Sequence, residues 1–172
     1  MKKRIIQKTK GFIRNVVSSM PGIQNTQVEQ VLMMNQYRLM KKLLSKDEMP
    51  SLNEVGFRVH SEFEEDGILL YIFSLIDTTN KRVVEICAGN GAQCMAANLI
   101  VNHGWEGLLF DGDERNIAES TKFFASHRST FALPPIIKHA WITRENINEL
   151  IGSADFKGEI DLLSLDIDGN DY

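Results

Sequence analysis

Cysteine is scarce in this chain. Cys87 and Cys94 are the only two in 172 residues. They form no C-x-x-C pair and have no second pair beside them, which removes a thioredoxin-type redox motif and a four-cysteine zinc site. Two thiols without a disulfide framework fit a reducing, cytoplasmic setting. Long apolar runs are also missing, so no membrane-spanning helix is expected. Arg14 divides the one apolar stretch near the N-terminus, residues 12–17, and no small-residue cleavage site follows it, so no secretory signal is expected. The four histidines sit at no metal-ligand spacing, and there is neither a G-x-S-x-G elbow nor a Walker loop. His139 ends a strand and is expected to line the cleft, whereas His60, His103 and His127 read as surface or loop residues. Acids, finally, are almost absent from one end. Residues 1–46 hold ten Lys and Arg against the single acid Glu29, a charge of +9, and residues 47–172 carry −13. A split of this size predicts two regions, 1–58 and 59–172, with different surroundings. The basic end suits a solvated arm, contact with the acidic body, a membrane surface or another protein; it carries no clear nucleic-acid motif.

What is present is a helical lead followed by an alternating pattern. Pro21-Gly22 marks a turn, and Thr26-Gln27-Val28-Glu29 is a capping box that opens a helix with an apolar, methionine-rich face. Residues 47–58 read as a linker. A second box, Ser61-Glu62-Phe63-Glu64, opens a helix whose apolar positions run from Ile68 to Ile76. Strands are then expected at Arg82–Cys87, Gly107–Phe110, Pro135–Ala140 and Ile160–Ile167. Helices are expected at Ala92–Val101, Asn116–Ser126 and Arg144–Ile151. Alternation of this kind builds right-handed βαβ units around a parallel sheet. The near-continuous apolar strands fit burial on both faces, with Leu162, Leu163, Leu165 and Ile167 in the last buried on one or both.

The first strand, from Val83, runs through Glu85, Ile86 and Cys87 into the turn Ala88-Gly89-Asn90-Gly91 and on to a helix. Gly89 and Gly91 allow a close backbone approach to a ligand lying at the carboxyl ends of the strands. Asp111 follows at the end of the next strand, where a carboxylate can accept both hydroxyls of a ribose. Two ligands fit such a loop, a nicotinamide dinucleotide and S-adenosylmethionine. The dinucleotide pattern G-x-G-x-x-G would need a third glycine where Cys94 stands. Glu85, costly to bury without a partner, would either hold the loop backbone or face a cationic amino-acid end. A βα module without catalysis is the remaining alternative.

Glu85-Ile86-Cys87-Ala88-Gly89-Asn90-Gly91 resembles motif I of class I S-adenosylmethionine-dependent methyltransferases, E/D-x-G-x-G-x-G, with Cys87 at its first glycine. Leu108-Leu109-Phe110-Asp111-Gly112-Asp113 resembles the second motif. The resemblance implies cofactor contacts from Glu85, Ala88, Gly89, Asn90, Gly91, Asp111, Gly112 and Asp113. In particular it implies Asp111 on the ribose, Asp113 near the adenine or ribose edge, and Trp141 against the adenine. Ser61–Gly67, ending Glu65-Asp66-Gly67, and Asp161–Tyr172 are similar to segments of FkbM-like sugar or small-molecule O-methyltransferases. This implies Asp66 near a cofactor lid, a small-molecule or glycan hydroxyl as acceptor, and a Rossmann-like sheet of order 3-2-1-4-5-7-6. The present sequence supplies its first four strands, 3-2-1-4, so an N-terminal part of such a domain is expected, with its fourth strand an apolar edge prone to association or homo-oligomers.

That fourth strand ends in Leu165-Asp166-Ile167-Asp168-Gly169-Asn170-Asp171-Tyr172. Asp166 and Asp168, two apart on a strand, point to the same side. Two convergent carboxylates there suit a general base for the acceptor hydroxyl, or oxygen ligands for a divalent cation such as Mg²⁺. The string is similar to a calcium loop, but an EF-hand needs a helix where a buried strand stands.

Overall fold

The computed structural model describes residues 26–167. The basic segment 1–25 and the final residues 168–172 lie outside the described residues, and with them the membrane or protein contact expected of the basic end and the role expected of Asp168.

Four parallel strands form one sheet: β1 (Arg82–Ile86), β2 (Glu106–Asp111), β3 (Ile136–His139) and β4 (Leu162–Leu165), in the order β3-β2-β1-β4. The fold is a Rossmann-like α/β sheet with flanking helices and a helical N-terminal segment, as the alternation predicts. The helices are α1 (Thr26–Leu43), the single turn α2 (Leu52–Val55), α3 (Glu65–Ile76), α4 (Ala97–His103), α5 (Glu114–Ala125) and α6 (Ile147–Ser153). β1 lies at the centre because Val83, Val84, Glu85 and Ile86 are all buried, with Val84 in register with Leu108 on one side and Leu163 on the other. One face of the sheet packs Val83 and Leu109 against Leu69 and Phe73 of α3, Leu99 and Ile100 of α4 and Phe124 of α5. The other packs Val84, Ile86, Leu108 and Phe110 against α6 and the segment with Ala154 and Phe156.

α1 is bound to this body. Buried Gln30 exchanges two amide hydrogen bonds with Asn98 of α4, and its Oε1 lies 2.7 Å from His103 Nε2. Burial pushes His103 down to about 4, with the Lys81 charge adding to the effect, so the ring is neutral and donates to Gln30. His60 lies in a loop, as the sequence suggests. Its half-buried ring meets Phe123 and His127 edge-on, and burial lowers its pKa. These polar groups were unreadable as a set because they come from elements far apart in sequence.

Four expectations need correction. Residues 47–58 are no plain linker: Ser51 donates both its N–H and its hydroxyl to Glu54, capping α2, and Val55 is buried. Ser61–Glu64 does not open α3, which begins at Glu65; Ser61 Oγ accepts from the Asp66 N–H instead, and residues 61–64 stay in a loop. The helix expected from Ala92 begins only at Ala97, because the preceding residues wrap around the Glu85 carboxylate. Of the β4 side chains, Ser164 is buried, but Leu163 and Leu165 are exposed. They share the face of Val84 and Ile86, and the described residues put no helix over that part of it. Among the described residues β4 pairs with β1 alone, which is the apolar edge the sequence predicts. No helix among the described residues is long and apolar enough to cross a membrane.

Candidate functional site

A cleft of about 500 Å³ opens at the carboxyl ends of β1 and β4, where ligands of open α/β sheets bind. Three pieces of chain build it: the loop before α3 with Ser61, Glu62 and Phe63, together with Glu65 at the start of α3; the loop after β1 with Cys87, Ala88, Gly89, Asn90, Gln93, Cys94 and Met95; and the end of β4 with Leu165 and Asp166. Glu85 forms part of its floor and Asn116 of α5 part of its side.

Glu85 is only 3% exposed. Its two oxygens accept the N–H groups of Met95 (2.9 Å) and Ala96 (2.7 Å), just ahead of α4. It therefore does the first of the two jobs its sequence position suggests, holding loop backbone. Burial pushes its pKa up to about 6, against the two amides and the Cys94 thiol that favour the ionised form; the Asp166 charge adds a smaller upward push. Burial, followed by the charge of Glu85, holds Cys94 well above the usual thiol range. Cys87 and Cys94 are not joined in a disulfide.

The Glu85 shift has a measurable consequence. A carboxyl whose folded pKa lies above its unfolded one stabilises the fold fully below the unfolded value and loses that contribution as pH rises through the folded value. The window here runs from 4.5 to about 6. Glu85→Gln cannot titrate. Urea unfolding should therefore show wild type gaining about 2 kcal/mol relative to Glu85→Gln between pH 7 and pH 4.5. Parallel stability curves would contradict the assignment.

The turn after β1 is shaped by three left-handed residues, Cys87 (φ 65°), Gly89 (φ 57°) and Gly91 (φ 76°). A Cβ at Gly89 would meet nothing within 4 Å, so there is room beside its backbone for a ligand. A Cβ at Gly91 would strike Ser120 and Phe124 of α5, so this glycine serves packing. Cys87 stands where the resembled motif has its first glycine, in a conformation that costs a non-glycine residue about 1–3 kcal/mol.

Asp111 locks the second strand to this turn. Its Oδ2 accepts the Gly89 N–H (2.8 Å), and its Oδ1 accepts the Asp113 N–H (2.8 Å) and Asn116 Nδ2 (3.0 Å). It sits directly behind the loop rather than on the cleft surface. Asp113 caps α5 through the Arg115 N–H and pairs with the Arg115 guanidinium, which holds its carboxyl below the usual range. Trp141 is 80% exposed and lays its ring over Gly112, where a Cβ would collide with it. His139 Nε2 lies 3.0 Å from the Gly112 carbonyl. Thus Glu85, Ala88, Gly89, Asn90 and Asp166 come together around the cleft, while Gly91 and Asp111 support it from behind. Gly112, Asp113, Trp141 and His139 lie outside its lining, which corrects the expectation for His139. Among the described residues no cluster of three or more His, Cys, Asp or Glu is arranged to hold a metal ion.

Sequence reasoning did not single out Glu62, Phe63, Gln93, Met95 or Asn116. Their signal was positional: each lies within five residues of a group already flagged. The charge of the lining is the feature no single motif reveals. Among the described residues, four carboxylates, Glu62, Glu65, Glu85 and Asp166, line the cleft without one Lys or Arg.

No family model, no curated protein and no solved structure matches this chain.

Proposed function

We propose that the chain binds the cofactor of a class I S-adenosylmethionine-dependent methyltransferase acting on a sugar or small-molecule hydroxyl. One observation carries the reading: a glycine turn with open space beside Gly89, backed by Asp111, faces a cleft that, among the described residues, is lined by four carboxylates and no Lys or Arg. S-adenosylmethionine combines a nucleoside with a sulfonium, an ammonium and a carboxylate, so its net charge is positive, and a unit charge of the right sign at about 6 Å is worth roughly 3 kcal/mol at an effective dielectric of about 20.

The same geometry disfavours a nicotinamide dinucleotide. Its pyrophosphate needs free amides at the helix that follows the glycine loop. Here the Met95 and Ala96 amides ahead of α4 are already taken by Glu85. The remaining wall would repel two phosphates.

When bound, the sulfonium supplies an activated methyl group. The protein's part is to fix the nucleoside along Ala88–Asn90, to present carboxylates to the cationic end, and to take the proton from the acceptor oxygen. Asp166, exposed at the cleft mouth, is assigned that last role. A Mg²⁺ ion would require Asp168 to join it.

A thermal melt tests the reading. S-adenosylhomocysteine at 100 times its Kd should stabilise the fold by about 2.7 kcal/mol. For a chain of this size that is a rise in Tm of roughly 5–10 °C. An unchanged Tm at millimolar ligand would count against it.

A further inference from the structure

Two carboxylates in this chain each gather three consecutive backbone N–H groups. Asp161 takes those of Thr79, Asn80 and Lys81 and so ties the start of β4 to the turn before β1, at the opposite end of the sheet from the cleft. Asp66 takes those of Val59 (2.7 Å), His60 (2.6 Å) and Ser61 (3.0 Å), all on its Oδ2. Asp66 is 1% exposed and does not line the cleft, and its buried Oδ1 has no hydrogen-bond partner. The residues it pins lead straight into the cleft wall. Ser61, Glu62 and Phe63 follow, with Phe63 67% exposed, and the Phe63 N–H is held in turn by Glu65 (2.9 Å). The segment is thus anchored at both ends, and its exposed middle stands over the ligand space.

A carboxylate oxygen holding three N–H groups is a charge-assisted clamp, roughly twice as strong per bond as a neutral acceptor. Ser61 Oγ, which accepts the Asp66 N–H, and the His60 ring against Phe123 and His127 also hold this segment, but the three amides of 59–61 are bound by Asp66. We propose that Asp66 is a positioning residue: it sets the 61–65 wall and thereby the affinity of the cleft, without touching what binds there. The proposal rests on the cofactor reading above only for its choice of ligand.

The test compares wild type, Asp66→Asn and Asp161→Asn, the last being the same kind of clamp remote from the cleft. In Asp66→Asn, the amides of Val59, His60 and Ser61 should exchange at least tenfold faster. The Kd for S-adenosylhomocysteine should rise tenfold or more, while Asp161→Asn keeps its Kd within about twofold. A tryptophan probe, Phe63→Trp, should become more open to iodide quenching when combined with Asp66→Asn. If Asp66→Asn does not fold, Asp66→Glu, which keeps the charge but displaces it, carries the same readouts. An unchanged Kd in a folded Asp66 variant, or equal losses in both clamp variants, would overturn the proposal. If wild type binds no S-adenosylhomocysteine, the cofactor reading fails on its own. The proposal is then decided by exchange at 59–61 and by quenching at position 63: faster exchange and stronger quenching support it, and no change in either overturns it.

Discussion

Gly67→Ala is expected to be the most destabilising single methyl in this protein. Gly67 lies in the first turn of α3, where its N–H donates to the Phe57 carbonyl at 3.0 Å. A Cβ there would overlap the Val55 carbonyl oxygen and the Phe57 nitrogen, and both are backbone atoms that no rotamer change can move aside. Relief requires the 55–57 segment to leave the helix, which breaks that hydrogen bond and uncovers buried Val55. Overpacking of this kind and a lost buried bond together cost about 3–5 kcal/mol, or roughly 10 °C in Tm. Gly152→Ala is the control. It sits in α6 with nothing within 4 Å of the added carbon, so it should be neutral or stabilising by up to about 1 kcal/mol. Denaturant melts of the two variants decide the matter; similar small effects would refute the packing account. Glu65-Asp66-Gly67 thereby acquires a physical explanation residue by residue. Glu65 holds the Phe63 N–H, Asp66 holds the amides of 59–61, and Gly67 lets the preceding chain cross the helix.

Asp111→Ala should have the largest effect on ligand binding. It strands three donors at once, the N–H groups of Gly89 and Asp113 and the Asn116 amide. At about 1 kcal/mol or more each, the fold loses roughly 2–4 kcal/mol, and the Gly89 turn loses the group that fixes it. Binding of S-adenosylhomocysteine should fall at least 100-fold. Asp113→Ala separates this from a general effect of nearby acids. Asp113 is spent on the α5 cap and on Arg115, so its removal should leave the affinity within about threefold. Calorimetric titration of both variants at a temperature where they remain folded tests the pair. Equal losses would mean that Asp113 reaches the ligand, as the resemblance to the methyltransferase motif implies. Retained affinity in Asp111→Ala would remove Asp111 from the site.

How far the sequence reaches can be followed along β1. The strand, the glycine turn and the acid that ends β2 are all legible, because β-branched runs, Gly89, Gly91 and a strand-end Asp111 are local signals. The order β3-β2-β1-β4 is the one that the resemblance to class I methyltransferases implies; alternation by itself implies only right-handed units around a parallel sheet. What the sequence concealed depends on long-range partners. Glu85 was readable as a buried acid with a job, but not that it would hold Met95 and Ala96 and so delay α4 to Ala97. Ser61 and Glu64 have the spacing of a capping box, yet Asp66 outcompetes it by accepting three amides on one oxygen. The boxes Ser45–Glu48 and Ser51–Glu54 have the same spacing and do cap their short helices; they were overlooked because no apolar run follows them. The resemblance implies Trp141 against the adenine; its ring rests on Gly112, outside the lining of the cleft.

The acidic lining among the described residues gives the account its sharpest discriminator, since a nucleoside is common to both candidate cofactors, whereas the rest is a zwitterionic amino acid in one and an anionic pyrophosphate with a second nucleoside in the other. The direct measurement is a pair of calorimetric titrations of the wild-type chain, one with S-adenosylhomocysteine and one with NADH, at the same pH and ionic strength. Saturable one-to-one binding of S-adenosylhomocysteine, with NADH at least tenfold weaker, is the predicted result. NADH binding as tightly, or no heat from S-adenosylhomocysteine at millimolar concentration, would contradict it.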